Sequence, residues 1–306
     1  MNAVPAASLL RTIENRLSAA GVPSPAADAR LIVAHACGLP GSRVALLTEI
    51  PESDLQEIDR LTVRREARVP LQHLTGQASF LNLDLNVGPG VFTPRPETEV
   101  LVDWLIGVLP SNDGPSVAVD LCAGSGAIGL ALAANVADCS VLAVERSPQA
   151  CSYAQQNYER HAELIRANGS AYSLLEADVT RPAWLAALDR PADVVVSNPP
   201  YIPAGAIPRD PEVRDHDPAI ALYGGPDGLE LIRSLVPLAE CALRPGGLLA
   251  IEHADDQGEQ AREAGVPELL RQRGFVDVVD HHDLAGRPRF TTAVVGETSD
   301  PAPGGC

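Results

Sequence analysis

Val194-Val195-Val196-Ser197-Asn198-Pro199-Pro200-Tyr201 decides the fold of this chain. A short run of β-branched apolar residues predicts a buried strand. Two consecutive prolines, with fixed φ and no N–H, cannot continue a sheet, so the chain must leave the strand in a stiff extended bend. That bend gathers the Asn198 amide, the Pro199 carbonyl and the Tyr201 ring into a small fixed cluster. Such a cluster suits a planar group carrying an NH₂: two acceptors receive its hydrogens and an aromatic face packs on its plane. The competing reading is a loop that merely terminates a strand.

Outward from this strand, the chain from about Pro96 alternates strands and helices, as a parallel sheet covered on both faces does. The pattern predicts a helix at 97–109, a strand at 116–121 and a helix at 126–136. It continues with a strand at 140–145, a helix at 148–167, a strand near 172–176 and a short helix at 182–189. Beyond the strand at 193–197 come helix 228–242, strand 247–252, helix 258–273 and strands near 275–281 and 289–295, with an antiparallel edge. The first seventy residues read instead as a helical bundle. Leu9, Leu10, Ile13 and Leu17, then Leu31, Ile32 and His35, then Leu55, Ile58 and Leu61 recur at helical spacing. Between the two regions, alternation from Phe80 to Val87 predicts a hairpin. The expected organisation is a helical domain at 1–73 for substrate docking, a hairpin linker at 74–95, a sheet domain at 96–296 and a disordered tail at 297–306.

Length and composition agree with this plan. The chain has 306 residues, room for two domains of about 150 residues each. Hydrophobic content of 45 % and charged content of 21 % describe a globular protein with an ample core. The N-terminus has no basic region ahead of an apolar segment and no stretch is long enough to span a bilayer, so the expectation is a cytoplasmic protein without membrane partners. No C-x-x-C pair occurs, and no metal is expected. His281-His282 looks metal-like, but neighbouring strand residues face opposite ways. Asp255-Asp256 reads as a solvated loop.

All 23 basic residues are arginine, against 40 acidic ones, giving a formal charge of −17. Lysine-dependent chemistry (P-loop, Schiff base, lysine general base) is thereby excluded. So acidic a chain is also a poor generic binder of nucleic-acid backbone, and no direct nucleic-acid partner is expected.

Asp120-Leu121-Cys122-Ala123-Gly124-Ser125-Gly126 follows the first strand of the sheet region and opens a helix. Glycines there let backbone amides and the helix N-terminus approach a ligand closely. Glu145 closes the next strand, where a carboxylate accepts hydrogen bonds from two ribose hydroxyls, as in dinucleotide folds with an acidic residue about 20 positions on. Asp178, with Val179 beside it, closes the third strand and could receive an adenine amine. Gly124, Gly126 and Gly129 also fit G-x-G-x-x-G, so a nicotinamide enzyme competes. Asp120 ahead of the glycines, the lack of a second phosphate-binding element and the Asn-Pro-Pro-Tyr bend beside the pocket favour S-adenosylmethionine.

Together these features resemble the HemK/PrmC family, methyltransferases that act on a glutamine side-chain amide of peptide-chain release factors. The likeness covers nearly the whole chain. It rests on Pro70-Leu71-Gln72-His73-Leu74-Thr75-Gly76, Phe92-Thr93-Pro94-Arg95-Pro96-Glu97-Thr98-Glu99, Gly124-Ser125-Gly126-Ala127-Ile128 and Ser197-Asn198-Pro199-Pro200-Tyr201-Ile202. The segments Ala221 to Leu229 and Asp283-Leu284-Ala285-Gly286-Arg287 complete the set. The resemblance implies a class I S-adenosylmethionine-dependent methyltransferase fold, Rossmann-like with a mostly parallel seven-stranded sheet, behind an N-terminal helical bundle.

It also implies class I release factors as partners, modified at the glutamine of a GGQ motif in a way that tunes termination. Asp120, Cys122 to Gly126, Glu145, Asp178, Val179 and Asn198 would hold the cofactor. Asn198, Pro199, Pro200 and Tyr201 would hold the substrate amide, with Phe92, Arg95 and Glu97 nearby; Asn198, Pro199 and Tyr201 are the catalytic set. Two departures stand out: Cys122-Ala123 replaces the usual Gly-Thr, and Glu145 a usual Asp. An adenine amino-group methyltransferase on DNA or RNA is the nearest alternative, and a catalytically silent binding module a more distant one.

Overall fold

The computed structural model describes residues 3–109, 114–263 and 265–296. Two compact units divide the chain, Met1–Gln77 with Pro208–His216 and Ala78–Ile207 with Asp217–Cys306. The tail expected to be disordered, 297–306, lies outside the described residues.

In the first unit β1 (Ala3–Pro5) leads into α1 (Ala6–Ala19) and α2 (Pro25–Ala36). A 3-10 turn at Gly41–Leu46, β2 (Glu49–Pro51), α3 (Glu52–Glu66) and α4 (Leu71–Thr75) follow. The spacing places Ile13 and Leu17 of α1 and Ile58 and Leu61 of α3 in the core, and there they are buried. On α2 the expected stripe is rotated. Ile32 is buried, but Leu31 is 45 % exposed and His35 is also exposed. The apolar face is Ala29, Ile32 and Val33, an i, i+3, i+4 set that begins on a small residue. The β1–β2 ladder, with Val4 opposite Ile50, was not anticipated.

The second unit begins with the hairpin β3 (Gln77–Phe80) and β4 (Leu83–Asn86) and continues through α5 (Pro96–Val108), β5 (Ser116–Leu121), α6 (Ala127–Asn135) and β6 (Cys139–Glu145). Next come α7 (Pro148–Ala167), β7 (Ala171–Glu176), a 3-10 turn at Pro182–Ala187 and β8 (Ala192–Ser197). The short helix α8 (Pro211–His216) belongs to the first unit. The chain then completes the second with α9 (Glu230–Ala242), β9 (Leu243–Glu252), α10 (Val266–Gln272), β10 (Val276–His282) and β11 (Pro288–Val294).

Seven strands form one sheet in the order β10-β11-β9-β8-β5-β6-β7. The pairs β9–β8, β8–β5, β5–β6 and β6–β7 are parallel. The antiparallel strand is β11, which lies between β9 and β10. The expected antiparallel edge is thus present: β10, the edge strand, and β11 close the sheet through antiparallel pairings.

Alternation along the strands sends Ala118, Val141, Ala143, Val194 and Val196 to one face, against α5, α6 and α7. Val119, Leu142, Val144, Val195 and Ile251 face the other, against α9, α10 and Trp184. Helix α6 is buried over nearly its whole length, which explains its apolar sequence on every side. Helix α10 is shorter than expected because the segment ahead of it turns back toward the sheet tips. There Gln257 takes the Ala254 amide on its side-chain oxygen and donates to the Tyr201 carbonyl. The fully buried Asn157 of α7 exchanges hydrogen bonds with the Asn86 backbone and donates to the Ser125 carbonyl at 2.9 Å, tying the hairpin to the glycine loop.

Within the first unit, Glu212 of α8 receives Arg68 at 2.6 Å and Arg65 at 2.8 Å, while Arg65 also donates to Asp28 at 2.7 Å. Burial alone would raise the Glu212 pKa, but the hydrogen bonds from Arg68 and Arg65 outweigh it and bring it to about 2. The folded value lies below the unfolded one, so this stabilisation is complete above about pH 4.5 and fades as pH falls toward about 2, amounting to roughly 3 kcal/mol. A Glu212→Gln variant should be less stable than wild type to urea at pH 7, by about 3–5 kcal/mol. The gap should shrink steadily through that acid window; a gap independent of pH would show that Glu212 is not held as a buried carboxylate.

Candidate active site

The tips of β5, β6, β8 and β9 end side by side. Leu121 pairs with Val144 and with Ser197, and Ser197 pairs with Ile251. The residues that follow these tips are therefore brought into one row: Cys122, Glu145, Asn198 and Glu252. In an open parallel sheet, ligands bind at that carboxyl edge where the strand order reverses, here between β5 and β8.

The glycine loop is shaped from below. Asp120 is wholly buried; its Oδ2 accepts the Gly129 amide at 2.9 Å and its Oδ1 has no partner. Burial pushes this carboxyl up to about 7. Cys122 holds φ at +62°, a left-handed conformation that costs an L residue about 1–2 kcal/mol. The departure from Gly at this position thus stores strain. Ser197 Oγ donates to the neighbouring Leu121 carbonyl at 2.7 Å and steadies the crossing. Burial also raises the Cys122 thiol to about 12, so it carries no thiolate chemistry at neutral pH.

Glu145 does more than close its strand. One carboxylate oxygen accepts the Gly124 amide at 2.9 Å; the other accepts the Arg146 and Ser147 amides, each at 2.8 Å. The longer side chain folds back and cross-links the glycine loop to the start of α7, with lone pairs left for a diol. Asp178 is held in place by the Thr180 amide and hydroxyl, at 2.9 and 2.7 Å; those bonds lower its pKa. Val179 is buried beside it, and its carbonyl takes the Trp184 indole N–H. A Cβ at Gly124 would meet nothing within 4 Å, so the space over the loop is open. The donors, acceptors and open face fit an adenosine with two ribose hydroxyls.

Around the diproline bend, Pro199 and Pro200 are buried while Asn198 and Tyr201 are partly accessible. Segment 222–225 straps the bend. Ile202 donates to the Leu222 carbonyl, Gly224 to the Ile202 carbonyl and Ala204 to the Gly225 carbonyl. The strap lies so close that a Cβ on Gly224 would stand 2.3 Å from the Pro200 carbonyl oxygen, which accounts for a glycine in that motif. Asn198 Nδ2 donates to Thr98 Oγ1 at 3.1 Å. Among the described residues none donates to Asn198 Oδ1 or to the Pro199 carbonyl. Both acceptors therefore keep lone pairs that no described residue uses.

Beneath the bend lies Glu252, 1 % exposed, with Oε2 unpartnered. Burial raises it to about 7, although the Thr98 hydroxyl, the Arg289 guanidinium and the Tyr201 hydroxyl favour its charge, while Glu97 opposes it. Burial also lifts the Tyr201 phenol well above its ordinary range; Tyr201 stays a neutral aromatic. Arg95 pairs not with Glu97 but with the buried Asp217, at 2.7 Å, and its guanidinium lies 5.1 Å from the Phe92 ring centre. Burial holds the Asp217 carboxyl up near about 6.

Thr98, Asp217, Glu252 and Gln257 were missed as site residues in the sequence, although Thr98 lies inside a motif singled out there. The signal for Glu252 was its place at the end of the strand neighbouring the bend. His281 stacks on Phe290 at 4.5 Å while His282 is exposed, so the two diverge. Asp255 and Asp256 are exposed. Among the described residues no group of three His, Cys, Asp or Glu could hold a metal, and no helix is long and apolar enough to cross a membrane.

Comparison with known proteins follows the same division. A model of the PrmC N-terminal domain matches residues 8–76, and one of the methyltransferase small domain matches residues 82–208. The release factor glutamine methyltransferase of Mycolicibacterium smegmatis is 47 % identical over 277 residues, 90 % of this chain and 93 % of the relative. That of Streptomyces coelicolor is 46 % identical over 283 residues, 91 % and 94 % of the two chains. Among solved structures, a methyltransferase from Pyrococcus furiosus aligns with a TM-score of 0.50 at 20 % identity, covering 78 % of this chain and 98 % of its own, and shows the fold.

Two glycines of the loop separate packing from ligand space. A Cβ at Gly129 would lie 3.0 Å from the Tyr172 ring and 3.1 Å from Asp120 Oδ2. Gly129→Ala should therefore lower stability by about 1–3 kcal/mol through overpacking. Gly124 is open but has φ +57°, so Gly124→Ala should cost only about 1 kcal/mol. Urea denaturation measures both; a Gly129→Ala variant as stable as wild type would refute this account of the packing.

Proposed function

The chain belongs to the release factor glutamine methyltransferase family, and from that premise we propose that it transfers a methyl group from S-adenosylmethionine to the side-chain amide nitrogen of one glutamine, that of the GGQ motif, in class I peptide-chain release factors. The observation that carries this reading is the pair of acceptors that no described residue occupies, Asn198 Oδ1 and the Pro199 carbonyl, on a bend that the strap and the sheet hold in place.

When bound, the cofactor supplies an electrophilic methyl on a sulfonium leaving group. The residues of the chain must make an amide nitrogen nucleophilic, because resonance commits its lone pair to the carbonyl and keeps the group planar. Asn198 Oδ1 and the Pro199 carbonyl accept the two amide hydrogens, favour a pyramidal nitrogen and stabilise the positive charge that develops on it. Preorganised acceptors of this kind are worth roughly 3–4 kcal/mol, by the oxyanion-hole argument with reversed sign. No strong base is needed beforehand, since the methylated nitrogen becomes acidic and loses its proton afterwards. Tyr201, kept neutral, and Phe92, braced by Arg95, pack on the glutamine side chain. Asp120 and Glu145 hold the shape of the glycine loop, Glu145 adds its lone pairs for the ribose, and Asp178 with Val179 closes the adenine side.

The helical domain, residues 1–73 as read from the sequence, is a docking surface for the protein acceptor. A net charge of −17 suits a basic partner, one that works on an RNA-rich ribosome, and disfavours nucleic acid itself as the substrate. The working compartment is the cytoplasm, where that partner acts.

Peptide mapping of a release factor incubated with the chain and S-adenosylmethionine should find one methyl on a single glutamine, and no transfer to DNA or RNA in a parallel reaction. Methyl on adenine instead would favour the base-modifying alternative. Asn198→Ala should lower transfer by about 10²–10³-fold while the cofactor dissociation constant, by isothermal titration, changes little. The rate at limiting release factor should also fall with added salt; a salt-independent rate would remove the steering argument.

A further inference from the structure

We propose that Glu252 and Thr98 are positioning residues that fix which end of the Asn198 carboxamide faces the acceptor nitrogen; the inference rests on the reaction proposed above and deepens it. An asparagine amide has two ends of nearly equal shape and opposite hydrogen-bonding sense. Only the oxygen can receive a hydrogen from a glutamine NH₂. Turned over, Asn198 would present its own NH₂ to the substrate's NH₂ and no hydrogen bond would form. The backbone of the bend does not distinguish the two ends, so a neighbour must.

That neighbour is Thr98, in the first turn of α5 and 3 % exposed. Asn198 Nδ2 donates to its Oγ1 at 3.1 Å. A threonine hydroxyl carries one proton, and because Asn198 donates to its oxygen, that proton has to go to another acceptor. In this proposal Glu252 is that acceptor: the register that sets Ser197 against Ile251 puts Glu252 at the strand tip next to Asn198, it is buried with Oε2 free to accept, and the Thr98 hydroxyl favours its charged form. An ionised carboxylate can only accept. The sense of the chain is then fixed from Asn198 to Thr98 to Glu252, and Oδ1 is left facing the acceptor. A donor at position 252 would allow the reverse order and the turned amide.

The burial of Glu252 supports a role of this kind. A carboxyl with one oxygen unpartnered and 1 % of its surface exposed is a cost that an apolar side chain of similar size would avoid. The charged and titratable groups facing it come from three elements: Tyr201 of the bend, Arg289 of β11 and Glu97 of α5. Arg289 in turn donates to Asp283 at 3.2 Å. With its pKa raised to about 7 by burial, Glu252 is the acceptor-only form above that pH. Below it, the protonated acid can donate to Thr98 and loosen the arrangement.

The test compares Thr98→Val, Thr98→Ser and Glu252→Gln with wild type on two readouts. The first is kcat, KM for a release factor and the cofactor dissociation constant. The second is hydrogen exchange of the Asn198 side-chain NH₂ by 1H–15N NMR, which needs no acceptor. Thr98→Val, which is isosteric, should lower kcat at least about tenfold with cofactor affinity within about twofold, and Thr98→Ser should stay within about threefold of wild type. Glu252→Gln, whose amide can present either end, should fall severalfold in kcat. It should also lose the rise in kcat that wild type shows as pH increases across about 7. The Asn198 NH₂ should exchange slowly in wild type and Thr98→Ser and faster in Thr98→Val. A Thr98→Val enzyme at wild-type kcat, a Thr98→Ser enzyme as slow as Thr98→Val, or unchanged Asn198 exchange would overturn the inference. If the wild-type chain methylates no glutamine, the reaction assignment fails, and the exchange measurement still decides the relay.

Discussion

The site depends on the parallel register that ends four strands at one level. Leu121 sits opposite Val144 and Ser197, and Ser197 opposite Ile251. Because side chains alternate with period two, a slip of one residue in any pair would send its apolar set to the wrong face. The buried faces on both sides of the sheet forbid that slip. The core therefore fixes where the chain may become polar, and Glu145, Asn198, Pro199 and Glu252 lie at or just beyond that line.

Buried polarity beyond the line is organised by hydrogen-bond direction as well as by charge pairing. Glu145 accepts three backbone amides and so sets the loop that would receive a nucleoside. Asp120 and Glu252, both driven up to about 7 by burial, hold backbone and hydroxyl partners in fixed senses. Arg95 is committed to Asp217 and braces Phe92. Cys122 is the one strained element of the loop, and its thiol is inert. The chain has no lysine, so these partly buried cations are guanidiniums, which are more weakly hydrated than an ammonium would be.

Much of this was legible in the sequence because its signals are periodic or conformational. Strand alternation, proline pairs and glycine loops constrain the backbone locally, and they located the sheet, the glycine loop and the bend. What escaped were partners distant in sequence. Thr98 and Asn198 are 100 residues apart, and Arg95 and Asp217 are 122 apart; no local pattern joins such pairs. Glu252 reads as an ordinary polar strand end, and only the register with β8 shows that it is buried. The rotated face of α2 and the shortened α10 have the same origin. Each was decided by what packs against the element rather than by its own residues.

The central claim is that the diproline bend presents two acceptors to the NH₂ of a glutamine beside the methyl donor. A crystal structure of the chain with S-adenosylhomocysteine and a glutamine-containing release-factor peptide tests it most directly. The account predicts the glutamine nitrogen within hydrogen-bond distance of both Asn198 Oδ1 and the Pro199 carbonyl, with its lone pair directed at the sulfur. A glutamine bound elsewhere, or an Asn198 that turns its nitrogen toward the peptide, would contradict it.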